Sequence, residues 1–442
     1  MKILLLRRSL RGLHSSDNGQ TLVLVAVSVM MLMMMAALGV DVGWLHYQKE
    51  QMQKAADASA LAGAEAMTYG SNWSQAAQND ATANGYQNGQ NGITVTVNSP
   101  PKIDPIFKGK AGYVEAIVTQ ARPTFFMKVA GWSSVNVSAR AVASVNASGS
   151  GCIYALDPNS DPKSLNINGN VSVSSSCGVF VNSTANNALN IDGNSGYLNA
   201  GTAGAGIGVA NGGGWNPDSG YCNGTSGFCP APVNIPQFTD PLLNLAEPTV
   251  SGCDYNSGIS ITGGTQTLSN GTGTVTVCGG GISISGGAHV TFASGTWIIC
   301  GGGMKVSGSS QINGTGVTFY NTGNVKKYCP GNNYTPISIA GTTTGTLSAP
   351  TTGTYAGVLF FQDRAYQSSK NVDASSIDGT AGATFTGALY FPGTNLTYSG
   401  TPGVNVSSLL IAYQITISGN TTINDDLVTG GGSPIHTAAL AE

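Results

Sequence analysis

The chain has 442 residues, of which only 9% are charged and 62 are glycine, and its formal net charge is −3. An ordinary soluble domain carries about 25% charged residues, so most of this surface must be uncharged polar groups. Beyond residue 150 there are 13 Asp/Glu and 6 Lys/Arg, a balance that excludes the basic footprint of a nucleic-acid-binding protein.

Lys2, Arg7, Arg8 and Arg11 precede the run "TLVLVAVSVMMLMMMAALGV", Thr21 to Val40, which holds no charge, no Pro and one Gly. At 1.5 Å rise per residue this run matches a hydrocarbon core of about 30 Å. It is predicted to be a transmembrane helix. The basic flank lies before it, whereas Asp41 follows it directly and Lys49 and Glu50 come later, so the positive-inside rule keeps the N-terminus cytoplasmic and places residues 41 to 442 outside. The small-x-small sites Ala58, Ala60, Ala62 and Ala64 lie about 20 residues past the run, too far for signal-peptide cleavage, which directly follows a shorter apolar core.

Residues 44 to 69 contain no Pro and are rich in Ala, Gln, Lys, Glu and Met, which favour helix, so anchor and extension are predicted to form one rod. Its outer half carries Ala55, Ala56, Ala58, Ala60, Ala62, Ala64 and Ala66, a surface that either admits a neighbouring helix or sheet closely or packs on its own domain.

The order "DNGQTLVLVAVSVMMLMMMAALGVDVGWLHYQKEQMQKAADASALAGA" resembles the N-terminal module of the tight-adherence (Tad) Flp-pilus assembly proteins, the TadE/TadG-like family. In that family a Gly precedes the apolar run, "VDxG" closes it and an Ala-rich helix follows. "ARPTFFMKVAGWSSVNVSARAVASV", residues 121 to 145, is a weaker likeness to the same proteins. The resemblance implies pilus-assembly partners, the bacterial inner (cytoplasmic) membrane and a prepilin-type cleavage between Gly19 and Gln20. Pilin-like members carry Glu at the fifth mature position. Here that position is Leu24, which points to an uncleaved or poorly cleaved anchor in the manner of the TadG-like members.

Three alternating segments follow: Ile93, Val95 and Val97; Val114, Ala116 and Val118; and Val135, Val137, Ala139, Ala141, Ala143 and Val145. Each places its apolar residues on one face of a strand. With the long helix they outline a small pilin-like β module.

From about residue 151 an apolar-polar-apolar-polar-Gly unit recurs: "LNINGN" at 165, "LNIDGN" at 189, "ISITGG" at 259, "ISISGG" at 282, "MKVSGS" at 304, "ISIAGT" at 337 and "ITISGN" at 415. Fixed spacings of this kind predict a solenoid, since each short strand and turn stacks on its copies. The fold expected is therefore membrane-anchored α+β followed by a β solenoid resembling a parallel β-helix. "CGGG" at 278 and 300 places Cys278 and Cys300 on adjacent coils. Cys222 and Cys229 read as a disulfide-tied loop within a Gly- and Pro-rich stretch, and "GVLFFQ" at 357 and "GALYFP" at 387 as further rungs or a cap. All eight cysteines (Cys152, Cys177, Cys222, Cys229, Cys253, Cys278, Cys300, Cys329) lie in the exported part and are candidates for disulfides in an oxidising compartment, with roughly a hundred connectivities open.

The divisions are a basic cytoplasmic segment 1–20, a transmembrane helix 21–40, a helix extension 41–69, a pilin-like module 70–150, a repeat domain 151–430 and a tail 431–442. No catalytic, cofactor or metal motif is present: the cysteines form no CxxC pairs, "GxSxG" is missing as an elbow, and Asp57 and Asp373 both miss the D-x-S-x-S metal pattern. Of the histidines His14, His46, His289 and His436, only His289 falls in the repeat, and Asp425 and Asp426 are the only adjacent acids there. The expectation is a non-enzymatic anchored subunit of a pilus-assembly or adhesion apparatus, pilin-like, scaffolding or adhesive. The alternative is a tethered β-helix that binds or degrades polysaccharide. Exposed Thr, Ser and Asn with Trp215 and Trp297 offer a glycan-binding surface in either case.

Overall fold

The computed structural model describes residues 17–68, 72–146, 151–169, 171–175, 177–193, 196–200, 206–218, 222, 226–323, 329, 333–367, 374–378, 383–399, 405–406, 409–419, 421–423, 434–435 and 437–441. The chain divides into two compact units, Met1–Asn146 with Ala438–Glu442, and Ala147–Thr437.

In the first unit α1 (Asp17–Thr68) is a single helix. Its apolar stretch is not buried, and large side chains from Leu22 to Val42 are exposed. One N-terminal apolar helix of this length and composition fits a single-pass membrane anchor. Past Asp41 the helix buries a stripe at three- and four-residue spacing, Met52, Ala55, Ala56, Ser59, Ala60 and Ala64. The small-residue face thus lies on its own domain's antiparallel sheet, β1 (Ile93–Asn98), β2 (Tyr113–Pro123) and β3 (Ser134–Asn146), and is not left open for a partner. Val114, Ala116 and Val118 face Ala139, Ala141 and Ala143 across the ladder and are buried with them.

Two elements were not expected. The polar stretch after residue 70 contains α2 (Trp73–Ala83), started by the Asn72 side chain accepting from the Gln75 N–H and seated by Ala77 and Ala81, one turn apart. Residues 431–442, expected as a tail, include the strand Thr437–Leu440, which lies beside β3. Four residues are too short to show a period.

The second unit is a parallel solenoid with three sides, and its first long sheet runs in the spatial order Val233–Ile235, Ile207–Ala210, Gly178–Val181, Gly151–Ala155, Leu410–Ala412, Ala388–Phe391, Val358–Gln362, Val317–Thr322, Gly295–Cys300, Thr274–Cys278. All seven copies of the repeat fall in the second long sheet. The third side is split into two five-stranded sheets. Inside, Phe292 meets Phe319 edge to face at 5.0 Å, and Phe319, Phe360 and Phe391 stack with centroids 5.4 and 6.5 Å apart. Glycines let the turns stack backbone on backbone: Gly286 has φ +63°, and a Cβ there would meet the Thr262 carbonyl oxygen at 2.5 Å.

Spatial order is not chain order. Coils built from 151–235 stack outward from Gly151–Ala155, whereas those from 259–423 begin at the opposite end and wind back until they meet it. Leu410–Ala412 pairs with Ile153–Ala155, Ile415–Ser418 with Leu165–Asn168, and Thr421–Ile423 with Val173–Ser175. The solenoid therefore contains a seam, where the chain enters and leaves it. Nine inter-strand steps of about 4.8 Å put the ends of the ten-stranded sheet roughly 43 Å apart. Residues 236–258 bridge that distance as a strap, within reach of extended chain at about 3.3 Å per residue.

Candidate functional site

In the first unit, Asp41, the acid that ends the apolar run, is fully buried although it sits on the membrane helix. Its carboxylate accepts from the backbone N–H groups of Phe125 and Phe126 at 2.8 Å each and of Met127 at 2.5 Å. The 125–132 loop is thereby held against the helix. Phe125, Phe126, Val129 and Trp132 remain exposed, and Phe125 meets Trp44 edge to face at 5.8 Å.

A second buried carboxylate fixes the loop between β1 and β2. Glu115 accepts from Asn98 Nδ2 at 2.9 Å and from the N–H groups of Lys102 and Asp104 at 3.0 Å, while Asp104 accepts from Phe107 N–H at 2.6 Å and from Arg140 Nη1. Burial opposes the charge on Glu115, but these donors hold its carboxyl below the usual glutamate range. Both oxygens of each carboxylate accept from backbone or side-chain donors that fix the surrounding loops.

In the second unit the strap runs along the outer face of the first long sheet. Phe238 packs on Tyr154 and Phe180, Tyr390 donates to Asp240, and Arg364 binds the Leu245 carbonyl at 2.9 Å and donates its own N–H to Glu247 at 2.9 Å. Cys253 bonds Cys278 at the far end. A cleft of 660 Å³ lies beside the strap, lined by Leu156, Asn159, Asn182, Asp240, Arg364 and Tyr413 among others. Burial raises the Asp240 carboxyl above its ordinary value, and burial beside Asp157 pushes Tyr413 up to about 12. Asp240 is the single carboxylate among the described lining residues, whereas glycoside hydrolysis needs two, roughly 5 to 9.5 Å apart.

The anchor, Asp41 and the small-residue stripe together fall within one family match. Residues 19–66 match the Flp pilus-assembly TadE/G-like family, Tad. No curated protein and no solved structure matches the chain. The Tad module thus ends within α1, and it supports a pilus-associated role with the membrane and pilus components as partners.

Within the Tad module Gly19 and Gln20 lie in the first turns of α1. The cysteines pair as Cys152–Cys177, Cys222–Cys229, Cys253–Cys278 and Cys300–Cys329. Cys278 and Cys300 are in register on neighbouring strands, each bonded elsewhere. Trp297, read as a surface residue, is instead fully buried in the core with its Nε1 donating to the Ala293 carbonyl at 3.0 Å, and Trp215 packs against that core. His289 is exposed, His46 pairs with Glu50 at 3.4 Å, and Asp57 accepts from Gln53 at 2.7 Å. His14, His436, Asp373, Asp425 and Asp426 lie outside the described residues. The amides of Asn166, Asn190 and Asn216 bond one another coil to coil at 2.9 and 3.0 Å, so this part of the polar face holds the stack together. Asp41 was read from sequence only as the acid that ends the apolar run, and Arg364 was not singled out; an acid placed directly after an apolar run was the available signal for the first.

Proposed function

We propose that the protein is a non-enzymatic subunit of a Tad/Flp-type pilus assembly or adhesion apparatus, anchored in the bacterial inner membrane with its N-terminus cytoplasmic and its bulk exported. The observation that carries this is the Tad match over a helix whose apolar half is left unburied and whose Ala-rich half is committed to its own sheet. Contacts with other pilus-assembly subunits then run through the membrane half or through the exported units. The carboxylates described serve as clamps, which favours a scaffolding or minor pilin-like role over polysaccharide cleavage. For an adhesive role, surface glycans are the ligand class suited to the exposed Thr265, Thr267 and Thr291 on neighbouring coils.

Intact mass and N-terminal sequencing of protein purified from its own membranes test the reading. A chain starting at Met1 is expected for an uncleaved anchor. A start at Gln20 identifies a processed, filament-competent subunit. A start beyond residue 55 means release from the membrane and overturns the proposal.

A further inference from the structure

We infer that the 125–132 loop, "FFMKVAGW", is a second membrane contact, inserted among lipid acyl chains beside α1. The inference rests on α1 spanning the bilayer.

Three observations within the first unit carry it. The first is position. Phe126 shares a groove with Met30, Met33, Met34 and Ala37, and Val129 and Trp132 share one with Met34 and Leu38. Met34 lies six residues before Val40, the end of the apolar run, which is about 9 Å along a helix. A loop fixed at that level cannot remain above the hydrocarbon that surrounds α1.

The second is surface chemistry. Val129 is 93% exposed, Trp132 61%, Phe125 56% and Phe126 49%. In water these four would form an exposed apolar patch. Next to a bilayer they continue the apolar surface of the helix itself. Lys128, the single charge in the loop, is exposed and has a stem long enough to carry its ammonium toward the headgroups.

The third is the backbone. Hydrocarbon offers no water to unpaired N–H groups, so an inserted loop must satisfy its own. Asp41 takes the N–H groups of Phe125, Phe126 and Met127. Those of Val129, Gly131 and Trp132 bond the carbonyls of Phe126, Lys128 and Met127 at 3.0 to 3.1 Å. The Thr124 N–H bonds Ser133 and its hydroxyl bonds the Trp132 carbonyl. A solvated loop has no need of this degree of closure. Asp41 is therefore the residue that makes the loop compatible with lipid, and two attachment points stop the first unit from swivelling about a lone helix.

The test places p-benzoylphenylalanine at Val129, at Met33 in α1 or at Thr265 in the second unit of the full chain, reconstituted in phosphatidylethanolamine/phosphatidylglycerol nanodiscs, irradiated and analysed by peptide mass spectrometry. Lipid adducts at 129 and 33, and none at 265, are expected. Adducts at 33 with none at 129, or crosslinks from 129 to protein alone, overturn the loop inference and leave the anchor intact. No adducts at either site overturn the anchor as well. Asp41→Asn in the Val129 photoprobe chain is expected to cut the yield at 129 while leaving that at 33 unchanged; an unchanged yield at 129 removes Asp41 from the inference.

Discussion

Gly63 stands where α1 crosses both β2 and α2. A Cβ there would meet Val114 Cγ1 at 2.9 Å, Ala77 Cβ at 3.2 Å and the Trp73 carbonyl at 3.3 Å, none of them the end of a flexible chain. Gly63→Val is expected to destabilise the first unit by about 1 to 3 kcal/mol, the usual cost of overpacking, read as a lower thermal midpoint with no change in the second unit. Glu115 gives a pH signature. Its folded pKa lies below the ordinary 4.5, so the unfolded chain takes up the proton first, and the stabilisation is present above 4.5 and lost as pH falls through the folded value. The first unit's melting temperature should therefore fall on acidification below that point, and Glu115→Gln should both lower it at neutral pH and flatten the slope. Equal slopes in the two proteins would show that another group controls acid unfolding.

Among the elements, the strap explains a difference between what could and could not be read from the sequence. The seven repeat copies were visible because one face of their sheet meets solvent: Ile282 and Ile284 are buried on either side of a half-exposed Ser283. Val317–Thr322 and Val358–Gln362 are buried at every position, since the core covers one face and the strap or its neighbourhood the other, and a strand covered on both faces has no alternation to detect. The strap itself carries no period, and its partners Tyr154, Tyr390 and Arg364 are far away in sequence. α2 was hidden by its polar composition, although Asn72 was a legible cap. The Cys253–Cys278 bond closes 25 residues at the strap's end. Replacing both by Ser is expected to cost about 3 kcal/mol by loop-closure entropy, and to open residues 236–254 to protease before the coils unfold. Cutting that begins in the coils would show that the strap's aromatic and hydrogen-bonded contacts hold it without the disulfide.

At the scale of the whole molecule, the seam makes the second unit a rearranged version of a continuous solenoid. A permuted body running from residue 253 to 423 and then through a short Gly/Ser joint from 151 to 235 keeps every parallel pairing described and dispenses with the crossing. It is expected to fold with the same far-ultraviolet spectrum, and to melt lower by whatever the strap contributes. A permutant that fails to fold would show that the strap nucleates the stack. The same seam has a consequence in time. Gly151–Ala155 emerges early in synthesis, but the strand that covers its open side, Leu410–Ala412, ends 257 positions (412 − 155) after Ala155. At about 5 to 20 residues per second, that edge waits roughly 13 to 51 s for its neighbour. Throughout the wait it is a bare parallel edge able to pair with any other nascent copy. The lesion expected to turn export into aggregation is therefore a short C-terminal truncation, far in sequence from the edge it leaves open.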